Sequence, residues 1–423
     1  MDNSAKIFPI SAGKKYSTVF RFSVVLEEIV NPDILQKAVN ETLEKYKLFK
    51  VRMKSGFFWY YLEYNPKKAI VKEEQDYPCK YIDPKKNNDY LFTVTYFRNK
   101  INIDIFHSLT DGNSGITFFR EIVYTYLELL YPNILNNEER KLRKIEFDTE
   151  DSYVKNYDRK AKSNSSSKKA YILKGGKIKL SAVSVIHEII DLDGLKEVCK
   201  KNSSTITQYM TAVLIYSIYT ENYINSKSKR PIKVCIPVNL KKYFPSKTMS
   251  NFFSYITIEA NMEKILSNKN IGEFENILEF VKQEFRKKLE LEEIKKTMSA
   301  NVRLGNNFFV KTVPLFIKKL LVRISYIEIR KYTTITYSNI GRVGIIGNYK
   351  QFIKYFLMLI AAEPVEKIKC SSCTFENKLV FTFTSILKNG KIEERVYNFL
   401  KNKNINVEIE SNGVLDDISK KDK

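Results

Sequence analysis

Phe106-His107-Ser108-Leu109-Thr110-Asp111-Gly112 decides how the rest of this chain is read. The stretch holds one of only two histidines in 423 residues, four positions before an Asp-Gly pair. Upstream, residues 91–98 read as a strand, Asn99-Lys100 as a turn and residues 101–106 as the returning strand. The reason is that Ile101, Ile103 and Ile105 alternate with Asn102 and Asp104 at period two. Downstream, Ile116, Phe119, Val123, Leu127 and Leu130 recur at spacings of three and four, the apolar stripe of a helix. Asn113 or Ser114 is expected to cap that helix. His107 therefore stands at a strand-to-helix corner, where a rigid frame can present a side chain to a cleft.

A histidine suits proton transfer at such a corner. Its reference pKa of about 6.5 leaves the imidazole neutral at working pH, able to take a proton from a hydroxyl or amine that attacks a carbonyl. Asp111 lies too far along the turn to be assumed a relay partner. Gly112 is expected to permit a tight backbone turn where a Cβ would clash. The competing reading makes His107 a core histidine at a strand end and Asp111 a helix-start residue.

The chain is long enough for two domains with ample core, and its 43% hydrophobic content is that of a soluble globular protein. No apolar run approaches the roughly 18 residues needed to cross a bilayer. Met1-Asp2-Asn3-Ser4-Ala5-Lys6 lacks the basic-then-apolar pattern of a signal peptide. Cys79, Cys199, Cys235, Cys370 and Cys373 are scattered and odd in number, which points to a reduced, cytoplasmic protein. The formal charge of +23 invites a nucleic-acid partner. That reading is set aside, because lysine outnumbers arginine by about four to one and is spread along the chain, not gathered in a stripe.

The organisation divides into a first half, residues 1–158, a linker, 159–178, and a second half, 179–423. The first half opens with a strand at 20–26. Asn31-Pro32-Asp33 starts a helix striped by Leu35, Val39, Leu43 and Tyr46, and a strand follows at 57–63. The polar, Ser-rich run 159–169 reads as a surface connection. Beyond it lies a strand at 183–190 carrying His187, which has no Asp-Gly partner and reads as structural. Ser203 or Ser204 is expected to cap a helix with Ile206, Met210 and Val213 on one face. A strand at 232–238 leads into Pro237-Val238-Asn239-Leu240 and on to Asn251-Phe252-Phe253. Strands and helices mix without strict alternation, so the fold class is mixed α/β (α+β).

Two further segments were weighed. Cys370-Ser371-Ser372-Cys373 has metal spacing but no second Cys/His pair to complete four zinc ligands, so no metal is expected. The apolar, lysine-studded stretch 308–329 reads as a helix covering the core, with Pro314 starting or kinking it; a membrane surface is the alternative.

The His-x-x-x-Asp-Gly spacing of His107, Asp111 and Gly112 resembles the active-site signature of the chloramphenicol acetyltransferase-like acyltransferases. The block Pro237-Val238-Asn239-Leu240, Phe244-Pro245-Ser246, Thr248 and Asn251-Phe252-Phe253 is similar to the alcohol acetyltransferase family within that superfamily. Tyr337-Ser338-Asn339-Ile340-Gly341-Arg342-Val343 agrees, and the three blocks fall in the family's order. Phe106 stands where peptide-synthetase condensation domains have a first histidine, which shifts weight toward stand-alone O-acyltransferases.

The resemblance implies two chloramphenicol acetyltransferase-like domains around a central channel. Acyl-CoA, a co-substrate and not a bound cofactor, enters from one face and a small alcohol or amine acceptor from the other. The acyl group passes directly, without a covalent acyl-enzyme. By the same resemblance His107 is the general base, and Asp111 turns from the cleft to pair with an arginine, with Arg21, Arg52 and Arg342 as choices. Ser338 donates to the oxyanion and Asn339 fixes the strand. The competing reading of Ser338-Asn339 is a simple turn. The basic surface favours an anionic partner, either coenzyme A itself or the surface of an anionic membrane. The alternatives are a carrier-protein-dependent condensing enzyme, a glycolipid acyltransferase, and a non-catalytic binding scaffold.

Overall fold

The computed structural model describes residues 1–2, 4–132, 147–148, 150–161, 168–178, 182–267, 271–306 and 312–415. In chain order its strands are β1 (Val19–Leu26), β2 (Val51–Ser55), β3 (Tyr60–Tyr64), β4 (Val71–Glu73), β5 (Phe92–Phe97), β6 (Lys100–Phe106) and β7 (Ser184–Asp191). There follow β8 (Ile232–Asn239), β9 (Phe253–Ala260), β10 (Ile335–Arg342), β11 (Ile353–Ile360), β12 (Ile368–Phe375), β13 (Lys378–Ser385) and β14 (Val407–Ser411). The hairpin expected at 91–106 is β5–β6, joined in antiparallel register from Phe92↔Ile105 to Phe97↔Lys100.

Two large sheets organise the described chain. The first has the order β11-β1-β6-β5-β4, the second β14-β7-β13-β12-β10-β8-β9, and β2–β3 stands apart as a hairpin. Every residue of β1 is buried, as expected of a strand written Val-Phe-Arg-Phe-Ser-Val-Val-Leu and covered on both faces. On one face it meets α3 (Gly112–Leu130), which packs in turn on α2 (Pro32–Lys45), and Phe49 stacks on Phe118 of α3 at 3.9 Å between centroids. Burying each such aromatic is worth on the order of 2–3 kcal/mol relative to exposure. The polar face of β1 and β6 carries Arg21, whose Nε and Nη2 donate to the two carboxylate oxygens of Asp104 at 3.0 and 2.6 Å; Glu74 also pairs with Arg21.

The edge strand of the first sheet, β11, comes from beyond residue 350 and pairs with β1 from Phe20↔Ile360 to Leu26↔Ile353. The second sheet lies against it. Ser371 and Cys373 of β12 donate to the carbonyls of Met358 and Phe356 of β11. The two halves of the sequence thus share a sheet and a core, with Val185, Cys373 and Val380 in the same cluster as Phe20 and Ile105.

Several local expectations change. Asp111, not Asn113 or Ser114, caps α3, and Thr205, not Ser203 or Ser204, caps the helix Ile206–Ile218 in a reciprocal capping box with Gln208. Of the linker 159–178, residues 162–167 lie outside the described residues. The part after the polar run is packed, with Ala170, Tyr171 and Leu173 buried and the N–H of Tyr171 donating to the carbonyl of Pro231. Cys370 and Cys373 are three apart in an extended strand, so one enters the second core and the other the first. His187 hydrogen-bonds Thr382 through Nδ1 at 2.9 Å, and burial pushes its pKa down to about 3.

The largest departure concerns 308–329, of which 308–311 lie outside the described residues. Pro314 does start a helix, Leu315–Arg330, but that helix does not cover the core with its apolar side chains. Leu315 and Lys318 are its buried residues, while Phe316, Leu320 and Ile324 are 71, 63 and 61% exposed. It packs on the short helix α1 (Phe8–Ser11). Lys318 turns inward, where its ammonium sits 3.6 Å from the Trp59 ring centroid and donates to the carbonyl of Phe58.

Candidate active site

β6 ends at Phe106 because the N–H of Leu109 turns back to the Phe106 carbonyl at 2.9 Å. The N–H of His107 donates to the carbonyl of Thr18 at 3.0 Å, which fixes the corner to the start of β1. Three rings from distant parts of the chain enclose the imidazole. Phe8 stacks on it at 4.5 Å, and Phe20 and Phe253 approach at 5.1 Å. Nδ1 lies 3.0 Å from Oδ1 of Asn251. Burial in this aromatic box lowers the His107 pKa from its ordinary value. Its own backbone, the charge of Asp111 and the Asn251 amide oppose that shift in part, and the charge of Lys369 reinforces it. The ring is therefore neutral at pH 7, as a general base must be.

Among the described residues no arginine meets Asp111. Oδ1 accepts the N–H of Ser114 at 2.9 Å as the cap of α3, and Oδ2 accepts the N–H of Phe252 at 2.9 Å. The three candidate arginines are engaged elsewhere: Arg21 with Asp104 and Glu74, Arg52 with Glu63, and Arg342 near Glu376. Two backbone donors satisfy a 2% exposed carboxylate without a buried counter-ion, a cheaper arrangement because only one charge is desolvated. Asp111→Asn keeps the cap but turns an amide N–H toward that of Phe252. The expected cost is about 1–3 kcal/mol, the desolvation of one unmet donor. Denaturant midpoints at constant slope measure it, and an unchanged midpoint removes Asp111 from the tie between the two sequence blocks.

Gly112 has no positive φ, so no tight turn demands it. Packing is what a side chain would meet, since a Cβ would sit 3.1 Å from Cδ1 of Ile340 and that methyl would have to give by a few tenths of an ångström. The corner carrying His107 thus touches β10, the strand that carries Ser338. The second block arrives as well, since Thr110 Oγ1 donates to the carbonyl of Met249 at 2.6 Å and Lys241 Nζ to Ser114 Oγ at 3.2 Å.

Ser338 is part of a strand, not a turn, and is 8% exposed. Ile335 and Tyr337 of β10 enter the second core, so Ser338 points to the other face. Its register partner in the parallel β12 is Ser371, which bonds to β11 of the first sheet. Ser338 therefore faces the first sheet, as does the following Ile340. Asn339 donates to Thr207 Oγ1 at 3.0 Å and accepts the N–H of Gly341, whose φ of +80° lets β10 shift register there.

The sequence reading missed Asn251, Phe8 and Asp2 as members of the site. Asn251 was visible in the Asn-Phe-Phe block but without a partner, and the segment 1–6 was read only for targeting signals. A cavity of about 330 Å³ is lined by Lys14, Lys15, Ser17, Lys80, Lys177 and Ala361 among others. Ser17 adjoins Thr18, the residue bonded to the His107 N–H.

The family model for alcohol acetyltransferases matches residues 144–351. That stretch is alcohol acetyltransferase-like. No curated protein sequence matches the chain. Among solved structures, trichothecene 15-O-acetyltransferase from Fusarium sporotrichioides aligns at TM-score 0.60 with 9% identity, over 94% of this chain and 93% of that one. Polyketide synthase associated protein 5 from Mycobacterium tuberculosis aligns at 0.59 with 12% identity, over 94 and 95%. TRI101 of F. sporotrichioides, solved with coenzyme A and T-2, aligns at 0.61 with 9% identity, over 95 and 98%. At these identities the likeness shows the fold alone, the mixed α/β architecture that these solved structures share with the chain.

Proposed function

We propose that this alcohol acetyltransferase-like chain transfers an acyl group, acetyl by the family match, from acyl-CoA to an alcohol. The observation that carries the reading is an imidazole boxed by three aromatic rings and held through Nδ1 by Asn251. Nε2 is thereby left to take the acceptor's hydroxyl proton as its oxygen bonds to the thioester carbonyl carbon. The tetrahedral oxyanion then collapses, the C–S bond breaks, and the proton passes from Nε2 to the departing thiolate. Ser338 is the proposed oxyanion donor, from the strand that touches the His107 corner. Lys14, Lys15, Lys80 and Lys177 around the cavity suit the phosphates of the donor.

The helix Leu315–Arg330 packs on α1, whose Phe8 stacks on His107, and leaves Phe316, Leu320 and Ile324 exposed; this favours a second reading in which the acceptor is lipid-borne. No described helix is long and apolar enough to cross a membrane. Thiol release from acyl-CoA, measured over a panel of alcohols, tests the first reading. At low salt acyl-CoA is expected to outperform a minimal pantetheine thioester, and the advantage should shrink as salt screens the lysines beyond about 8 Å. Equal use of both donors at every salt concentration rejects the lysine cavity as the nucleotide site. Turnover that requires anionic vesicles moves the lipid acceptor ahead, and turnover only with carrier-bound acyl groups moves the condensing enzyme ahead.

A further inference from the structure

The N-terminal segment reaches into the site and ends on the partner of the histidine. Asp2 is 4% exposed, and Asn251 is fully buried. Asp2 Oδ2 accepts both the side-chain amide of Asn251, Nδ2 at 3.1 Å, and its backbone N–H at 3.2 Å. Asp2 Oδ1 accepts the N–H of Ala5 at 2.8 Å. The segment is fastened further by Ser108 Oγ, which donates to the Ala5 carbonyl at 2.7 Å, and by Phe8, which stacks on His107. An unbroken line of hydrogen bonds therefore runs from Asp2 through Asn251 to His107.

This line has a direction set by chemistry. An asparagine amide has one accepting and one donating end. A carboxylate only accepts, so the amide nitrogen must face Asp2 and the amide oxygen must face His107. An oxygen at 3.0 Å from Nδ1 requires Nδ1 to carry the proton. We propose that Asp2 is a positioning residue for the acyl transfer: through Asn251 it imposes the Nδ1–H tautomer on His107 and leaves the Nε2 lone pair free as the base. Free imidazole side chains prefer the opposite tautomer, with the proton on Nε2, which is useless for deprotonating an acceptor there. The device follows the logic by which an acid orients a catalytic histidine, with an amide interposed so that no counter-charge touches the ring.

The charge environment is consistent with that role. Burial pushes the Asp2 carboxyl up to about 6, with Asp151 adding to the rise and the bonds from Ala5 and Asn251 resisting it. The Tyr153 hydroxyl also feels the charge of Asp2, while the charges of Asp111 and Lys369 act on His107 with opposite signs. Protonation of Asp2 gives it a donor of its own and releases the constraint on the amide. The specified tautomer is therefore held above about pH 6 and loosened below it.

The inference rests on His107 being the base, yet the decisive readout does not depend on turnover. The chain has only two histidines, so ¹⁵N-histidine labelling gives two ring systems, with His187 as an internal reference. In the unaltered protein at pH 7.5 the His107 Nδ1 is expected at the shift of a protonated ring nitrogen and Nε2 at that of an unprotonated one. The reverse pattern overturns the proposal, whether or not the protein proves to be an acyltransferase.

Asp2→Asn should move both shifts toward an averaged tautomer. It should also lower kcat roughly 10- to 100-fold with little change in KM for the donor. Adding Asn251→Asp reverses the order of amide and carboxylate and should recover kcat, while raising the pH at which the activity's acid limb falls, because a carboxylate then touches the imidazole. Loss of activity in Asp2→Asn with an unchanged ¹⁵N pattern would mean that Asp2 only fastens the segment, and the proposal fails. If Asp2→Asn does not fold, Asn251→Ala takes its place, and an unchanged Nδ1–H pattern in that variant overturns the proposal, because the ring's bond to its own backbone then suffices.

Discussion

His107→Ala lowers turnover by roughly 10²- to 10⁴-fold, the usual worth of a positioned general base, and leaves the fold intact. The side chain serves the space between three aromatic rings more than it holds them, since Phe8, Phe20 and Phe253 belong to elements with their own backbone pairing. Thiol release and thermal unfolding, measured together, separate chemistry from stability. The pH profile of the unaltered enzyme adds a sign. Burial lowers the pKa of His107, so the unprotonated base is already dominant below its ordinary value. kcat/KM should therefore rise through an apparent pKa below 6.5 and be flat at neutrality. Thiol release near the unaltered rate in His107→Ala would remove the base assignment and, with it, the proposed mechanism.

Ser338→Ala reduces kcat by about 10- to 10³-fold while donor binding changes little, because an oxyanion contact strengthens only as charge develops. Ser338 faces the first sheet from the strand whose Ile340 lies against Gly112 of the His107 corner. Its hydroxyl is also not committed to a partner among the described residues, in contrast to Ser371 beside it, which is bonded to Met358. A loss expressed wholly in KM would show a binding role and set the oxyanion assignment aside. A backbone N–H or water that substitutes for the hydroxyl would hold the loss near 10-fold.

These predictions separate what was legible from what was not. The strand–turn–strand and the helix around His107 could be read because period two and period 3.6 are local properties of the stretch 91–130. Asp111 as an arginine partner could not be checked in the sequence. Its actual partners are N–H groups of Ser114 and Phe252, and backbone donors leave no residue-type signal. The stretch 315–330 misled for a related reason. Its apolar residues predict burial somewhere, but a helix pattern does not say against what, and here Lys318 goes inward while Phe316 and Leu320 face out.

By itself the sequence determined the mixed α/β class, the corner that carries the histidine, and the three blocks on which the resemblance rests. Those depend on side-chain periodicity and on rare residues at short spacing. Only the tertiary structure decided that β11 crosses to complete the first sheet, that Met249–Phe253 docks on the histidine corner, and that Asp2 reaches Asn251 across 249 positions of chain. Such contacts are fixed by the joint burial of two sheets and the need to pair every buried donor, conditions that no single segment states.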